Sequence, residues 1–167
     1  MLNCKFKELF NEKNYEKAYQ SYLKSYTTHP EKHKKYEIWL EEVNEIYNNL
    51  GKYTEKELLH KTNVAANMRY DFLALSLGML TLIKNPDSIE SIYLMTKYSL
   101  DIKDIDNALY FSERMFEFHL PENPYKYYIL MAEILLEKCP DYHKKTELFE
   151  KTKQEIFKYI NKAIEYE

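Results

Sequence analysis

Leu40-x2-Val43-Asn44-x2-Tyr47, Ala74-x2-Leu77-Gly78-x2-Thr81 and Ala108-x2-Phe111-Ser112-x2-Met115 share one pattern, and its spacing decides the fold. Each stretch reads apolar, apolar, small or polar, then bulkier. The third positions, Asn44, Gly78 and Ser112, lie 34 residues apart twice over. A pattern that returns at a fixed period of this length is the mark of stacked helix pairs, each burying its apolar face on the next. Such arrays serve as binding scaffolds far more often than as catalysts.

Composition agrees with an all-α chain. At 167 residues it forms one domain, 1–167, large enough to bury a core without disulfide or metal staples. Glycine occurs only at Gly51 and Gly78, and there are five prolines, too little turn chemistry for a many-stranded sandwich or barrel. The net charge is −3, and Arg69 and Arg114 are the only arginines among many lysines. Guanidinium supplies the bidentate contacts to phosphate and guanine, so its scarcity argues against a nucleic-acid partner.

Cys4 and Cys139 form no CxxC pair and read as reduced thiols of a cytoplasmic protein. The opening residues, charged every few positions, lack the apolar centre of a secretion signal. The longest apolar run, Phe72 to Ile83, is too short to span a bilayer and predicts the most buried helix, with no membrane partner.

Punctuation divides the chain into about nine helices. Expected spans are 2–11, 14–28 (stopped by His29-Pro30) and 33–50 (stopped by Gly51), the last with Ile38, Trp39, Val43, Ile46 and Tyr47 inward. Thr54 with Glu57 three residues on is a capping-box signature opening the fourth. The fifth spans 66–84, the sixth 87–100, and the seventh runs from the Asp101–Asp106 turn to about 119. The eighth covers 124–138, and the ninth, within 141–167, would cap the open end with Leu148, Phe149, Ile156, Ile160 and Ala163 inward.

With these residues in place, the chain resembles the tetratricopeptide repeat family. That family carries W-x2-L-G-x2-Y in the first helix of a pair, then A-x3-F and a proline in and after the second. The three in-phase stretches look like degenerate first helices, and Ala18-x3-Tyr22 followed by Pro30 looks like a second. The resemblance covers residues 2–138 and implies a right-handed superhelical stack of antiparallel helix pairs, an α-solenoid with the ninth helix as its cap. The first repeat is out of step, by the extra residues Glu31 to Lys35. A second phasing, with the seventh helix closing a pair and Tyr128-x2-Met131-Ala132-x2-Leu135 opening the next, fits locally as well. The first phasing keeps the period and uses every helix.

Chemical constellations are weak. His29 and His33 are separated by a helix-breaking proline, Cys139-x3-His143 lacks further ligands nearby, and Asp101, Asp104 and Asp106 lack a calcium loop's central glycine and closing glutamate. Turn and N-cap roles are expected for those aspartates. Glu41, Glu42 and Glu45 read as a solvated helix face. No nucleophile elbow, phosphate loop or Ser/His/Asp arrangement stands out, so no cofactor, metal or catalytic role is expected. Most of the 17 tyrosines fall at helical core spacing.

In the family resembled, partners lie along the concave face of the first helices. Carried over, that face would comprise Ile38, Glu41, Glu45 and Asn48, then Phe72, Leu75, Met79 and Leu82, then Asp106, Leu109, Glu113 and Phe116, with Asn3, Lys7 and Phe10 from the first helix. A groove apolar in the middle and acidic at its sides suits an amphipathic or basic segment of another protein. The alternative is that the apolar centre is covered by the ninth helix or by a second copy. The function expected is a cytoplasmic, non-catalytic protein- or peptide-binding scaffold. The alternatives are a regulatory or accessory domain sensing a small apolar ligand, and a self-associating structural subunit.

Overall fold

Thr54 and Ser88, 34 residues apart, each open a helix by the same chemistry. The Thr54 Oγ1 accepts from the Glu57 N–H at 3.2 Å while the Thr54 N–H donates to Glu57 Oε2 at 2.7 Å, the reciprocal capping box expected from the sequence. Ser88 Oγ accepts from the Ser91 N–H at 3.3 Å. The helices they start, Glu55–Asn67 and Ile89–Asp101, also end alike. Arg69 and Lys103 stand in the left-handed region at φ 60° and 61°. The Tyr70 N–H then donates to the Ala65 carbonyl, and the Asp104 N–H to Ser99. This is the Schellman stop, made without glycine at a cost of roughly 1–2 kcal/mol per turn. Lys13, at φ 60°, closes the first helix the same way, with the Asn14 N–H on the Leu9 carbonyl.

The computed structural model describes residues 4–27, 30–118, 120–139 and 147–167, with side chains at 5–24, 39–118, 120–139 and 147–167. Among them lie α1 (Cys4–Asn11), α2 (Tyr15–Thr27), α3 (Pro30–Asn48), α4 (Glu55–Asn67), α5 (Asp71–Lys84), α6 (Ile89–Asp101), α7 (Ile105–Met115), α8 (Tyr125–Lys138) and α9 (Glu147–Ile164). A single 3-10 turn spans Leu50–Lys52. No strand occurs among the described residues, and no helix there is long and apolar enough to cross a membrane. The fold is all-α. The fifth helix begins later than expected, at Asp71 rather than 66, because the left-handed Arg69 reverses the chain there.

Helices pair as hairpins α1–α2, α4–α5, α6–α7 and α8–α9, while α3 packs on α2 and α5. This is the pairing of the second phasing, in which the seventh helix closes a unit and the eighth opens one. The ninth helix accordingly has α8 as its partner and is not an unpaired leftover. The cause is local: the Schellman turns join α4 to α5 and α6 to α7 through so few residues that each must fold back on its neighbour.

Every residue from Phe72 to Leu82 on α5 is buried, as the apolar run predicts, because α2, α3, α4 and α6 all pack on this helix. The small positions of the sequence pattern explain two close approaches, one on α5 and one on α7. At Gly78 a Cβ would meet the Met95 Sδ of α6 at 2.5 Å and Thr62 Cγ2 of α4 at 3.7 Å. Ser112, its counterpart on α7, lies 3.2 Å from the Met131 sulfur of α8. Both let a methionine of the following helix come close. Asn44, the third member of the series, is exposed and has no such role.

The N-terminal hairpin reaches across the chain. Phe6 and Phe10 of α1 pack against Phe111 of α7 with ring centroids 6.0 and 6.5 Å apart. Lys7 Nζ donates to the Asp106 carbonyl at 2.9 Å, and the Tyr110 hydroxyl to Asn11 Oδ1 at 2.8 Å. The mostly buried Arg114 guanidinium lies over the rings of Phe10 and Phe118, 4.8 and 5.6 Å from their centroids. These contacts tie residues almost a hundred positions apart.

Candidate functional site

Because α3 packs on α2 and α5, a cleft of about 370 Å³ remains beside α4. Its α3 wall carries Trp39 and Glu42; its α4 wall carries His60, Lys61, Val64 and Met68; Leu73 and Leu77 of α5 contribute apolar lining. Residues 60, 61, 64 and 68 share one face of a 3.6-residue helix, so α4 presents them together. The Trp39 and Tyr70 rings close one end, with centroids 4.5 Å apart at 35°. A contact of this kind adds about 0.5–1.5 kcal/mol beyond burial.

The connection from α3 to α4 is tied to the end of α5 by two hydrogen bonds. Lys84 Nζ donates to the Leu50 carbonyl at 3.0 Å, and Asn85 Nδ2 donates to Glu55 Oε2 at 2.8 Å. Both bonds run from the end of α5 to the α3–α4 connection, fixing where α4 begins. At the same corner, the hydrogen bonds from Thr54 hold the Glu57 carboxyl below the usual carboxylate range.

The lining is what a ligand meets. Val64 and Met68 are 44% and 56% exposed, although both sit on a helix whose neighbouring positions Ala65 and Thr62 are buried. An aromatic pair, two open aliphatic side chains, a carboxylate on one rim and a histidine and lysine on the other provide apolar burial with a polar rim. Among the described residues no group of three His, Cys, Asp or Glu side chains is placed to hold a metal. His29 and His143 lie outside the described residues, as does the His33 side chain. Asp104 takes an N-cap role, its carboxylate accepting from the Asn107 N–H at 3.3 Å and from Asn107 Nδ2 at 2.8 Å.

The structure does not bring the residues of the expected groove together. Phe72, Leu75, Met79 and Leu82 are core, each 2% exposed or less. They are enclosed by the helices around α5, not by the ninth helix or by a second copy. Glu41, Glu45 and Asn48 are exposed on α3, and Asp106 and Glu113 are exposed on α7. Leu109 packs against the small cluster of Ala108, Leu130 and Ile134. Phe116 joins Tyr128 and Tyr159 at 5.5 and 5.7 Å, an aromatic group shared by α7, α8 and α9. Phe10 is fully buried and Lys7 is engaged by Asp106, whereas Asn3 and the Ile38 side chain lie outside the described residues.

Sequence reasoning missed Tyr70, Val64 and Met68, and read Trp39 only as an inward residue. The available signal was the apolar pair Val64 and Met68, four apart on a helix whose core face runs through Leu58, Thr62 and Ala65. Comparison with protein-family models, with curated proteins and with solved structures finds no match.

Proposed function

We propose that this chain is a non-catalytic helical-repeat scaffold of the tetratricopeptide-like kind, a right-handed superhelical stack working in the cytoplasm, that holds a segment of another protein in the α3–α4 cleft. The observation that carries the reading is the open, apolar, aromatic-ended lining of that cleft, with Val64 and Met68 left exposed. A short amphipathic segment would place an apolar side chain against Trp39, Val64 and Met68, with a basic residue toward Glu42 and an acidic one toward Lys61. The repeat of caps, turns and close contacts from α4–α5 to α6–α7 supports the stacked-pair reading. The proposed site is this cleft and not the acidic-flanked groove, because the apolar centre of that groove is core.

A second reading places a small apolar ligand in the same cleft, whose volume of about 370 Å³ falls within the range of small-molecule sites. One experiment separates the two. Peptides selected from a random display library on the wild-type chain are titrated by Trp39 fluorescence, beside the Val64→Glu/Met68→Glu variant. Peptides that shift the Trp39 emission and lose at least tenfold in affinity on the variant support the scaffold. If none depends on these residues but an anilinonaphthalene dye binds beside Trp39, the small-ligand reading stands instead.

A further inference from the structure

Among the methionines at described positions, Met68 alone has an open side chain. Met79, Met95 and Met115 are fully buried and Met131 is 6% exposed, whereas Met68 is 56% exposed. Met1 lies outside the described residues. Two of the buried sulfurs are also held at packed contacts. The Met95 sulfur fills the space that a Cβ on Gly78 would take, and the Met131 sulfur lies 3.2 Å from Ser112 Oγ. An oxidant in solution reaches those sulfurs only when the helices part, but it reaches Met68 in the folded chain.

Met68 stands where its polarity matters. With Val64, one turn before it on the same face of α4, it supplies the open aliphatic part of the α3–α4 cleft. A thioether is apolar, unbranched and polarizable, so it adapts to whichever apolar group rests on it. The sulfoxide is polar and chiral, and its S–O dipole holds water where an apolar group would otherwise sit. The fold itself does not depend on this side chain. The end of α4 is made by the Met68 N–H, which donates to the Val64 and Ala66 carbonyls, a backbone stop that oxidation of the sulfur leaves in place.

We infer that Met68 is an oxidation site that switches the α3–α4 cleft off, with hydrogen peroxide as the oxidant. The sulfur lone pair attacks one peroxide oxygen, and the O–O bond breaks as the S–O bond forms. The sulfide is oxidised to the sulfoxide and the peroxide is reduced to water, the proton of the transferred oxygen passing to the leaving hydroxide. A sulfoxide reductase reverses the step, releasing the oxygen as water while two thiols become a disulfide. The inference rests on the cleft being the binding site, whichever of its two proposed occupants it takes.

The full chain, its cysteines alkylated, is treated with dilute hydrogen peroxide and followed by peptide mass spectrometry. Met68 should gain oxygen roughly tenfold or more faster than Met79, Met95, Met115 and Met131, with an unchanged melting curve. Binding is then read with the tightest cleft-dependent peptide from the display selection, or with the anilinonaphthalene dye where the small-ligand reading holds. The oxidised chain should bind roughly fivefold or more weakly, and a sulfoxide reductase with dithiothreitol should restore the affinity. Met68→Leu, whatever its starting affinity, should lose none of it on peroxide treatment. Met68→Gln should start near the oxidised level and fall no further. Equal oxidation of buried and exposed methionines, or undiminished binding by a chain oxidised at Met68, overturns the inference and leaves the cleft standing as a site. So does a peroxide-dependent loss that persists in Met68→Leu. A reduced chain that binds neither probe overturns the cleft reading itself, and this inference with it, whatever the oxidation rates.

Discussion

A Cβ on Gly78 would stand 2.5 Å from the sulfur of Met95, so the absence of a side chain on α5 sets how closely α6 approaches. Gly78→Ala gains about 1 kcal/mol of helix propensity but forces a fully buried methionine out of place, at a cost of roughly 1–3 kcal/mol. We expect a net loss of up to about 2 kcal/mol in urea unfolding. Combining it with Met95→Ala should be markedly less than additive, because the truncated side chain no longer clashes. Additive losses would show that the two helices are not held apart at this point.

The Thr54–Glu57 box predicts an effect confined to one helix start. Thr54→Ala should cost about 1 kcal/mol. Glu57 is held below its usual value mainly by the Thr54 backbone N–H and then by the hydroxyl. Its contribution is therefore present above the unfolded glutamate range and lost as pH falls through the folded value. Thr54→Ala keeps the N–H and removes only the hydroxyl, so it should flatten the acid limb of the stability curve in part, whereas Glu57→Gln should remove this contribution, measured by urea unfolding between neutral and acid pH.

Asp104 works in the other direction. Burial raises its carboxyl above the usual range, and the two hydrogen bonds from Asn107 only partly offset this. A raised folded value means that the contribution of this group favours the fold below the unfolded aspartate range and is lost as pH rises through the folded value. Asp104→Asn keeps an N-cap acceptor and removes the partly buried charge. We expect it to match or exceed the wild type by up to about 1 kcal/mol at neutral pH. That advantage should vanish once the pH falls below the ordinary aspartate range, where Asp104 is protonated in both the folded and the unfolded chain.

Tyr110 reports on the hairpin that reaches across to α7. Burial pushes its hydroxyl up to about 12. Its contribution is intact below the ordinary tyrosine value near 10 and is lost as pH rises toward the folded value. Absorbance titration at alkaline pH should show several late-ionising tyrosines, Tyr19 among them, with the late amplitude reduced by one tyrosine in Tyr110→Phe. The same substitution should cost about 0.5–1.5 kcal/mol through the bond to Asn11.

Local chemistry was legible in the sequence and non-local geometry was not. Thr54 and Glu57 announced their helix start, and the run from Phe72 announced the buried helix, because capping and burial depend on residues a few positions apart. The stop at Arg69 carried no glycine or proline, so the start of α5 was set at 66 rather than at Asp71, and the 34-residue period, read alone, put the pairing one helix out of step. The cleft was missed for a related reason. Trp39 scores as core by periodicity, and only the placement of α3 against α2 and α5 leaves its ring at an opening. The burial of Phe10 under Phe111 and Arg114 depends on partners a hundred residues on, which no periodic pattern encodes.

The clasp between α1 and α7 has a consequence for how the molecule is made. In a row of repeats that touch only their neighbours, each unit can form as it leaves the ribosome and can fray without disturbing distant ones. Here Phe6 and Phe10 find Tyr22 and Tyr15 within their own hairpin, but their packing is completed only when Tyr110 and Phe111 have been synthesised, so the first hairpin to emerge settles late. Loss of the clasp would uncouple the first hairpin from the rest and favour its melting ahead of the remaining helices.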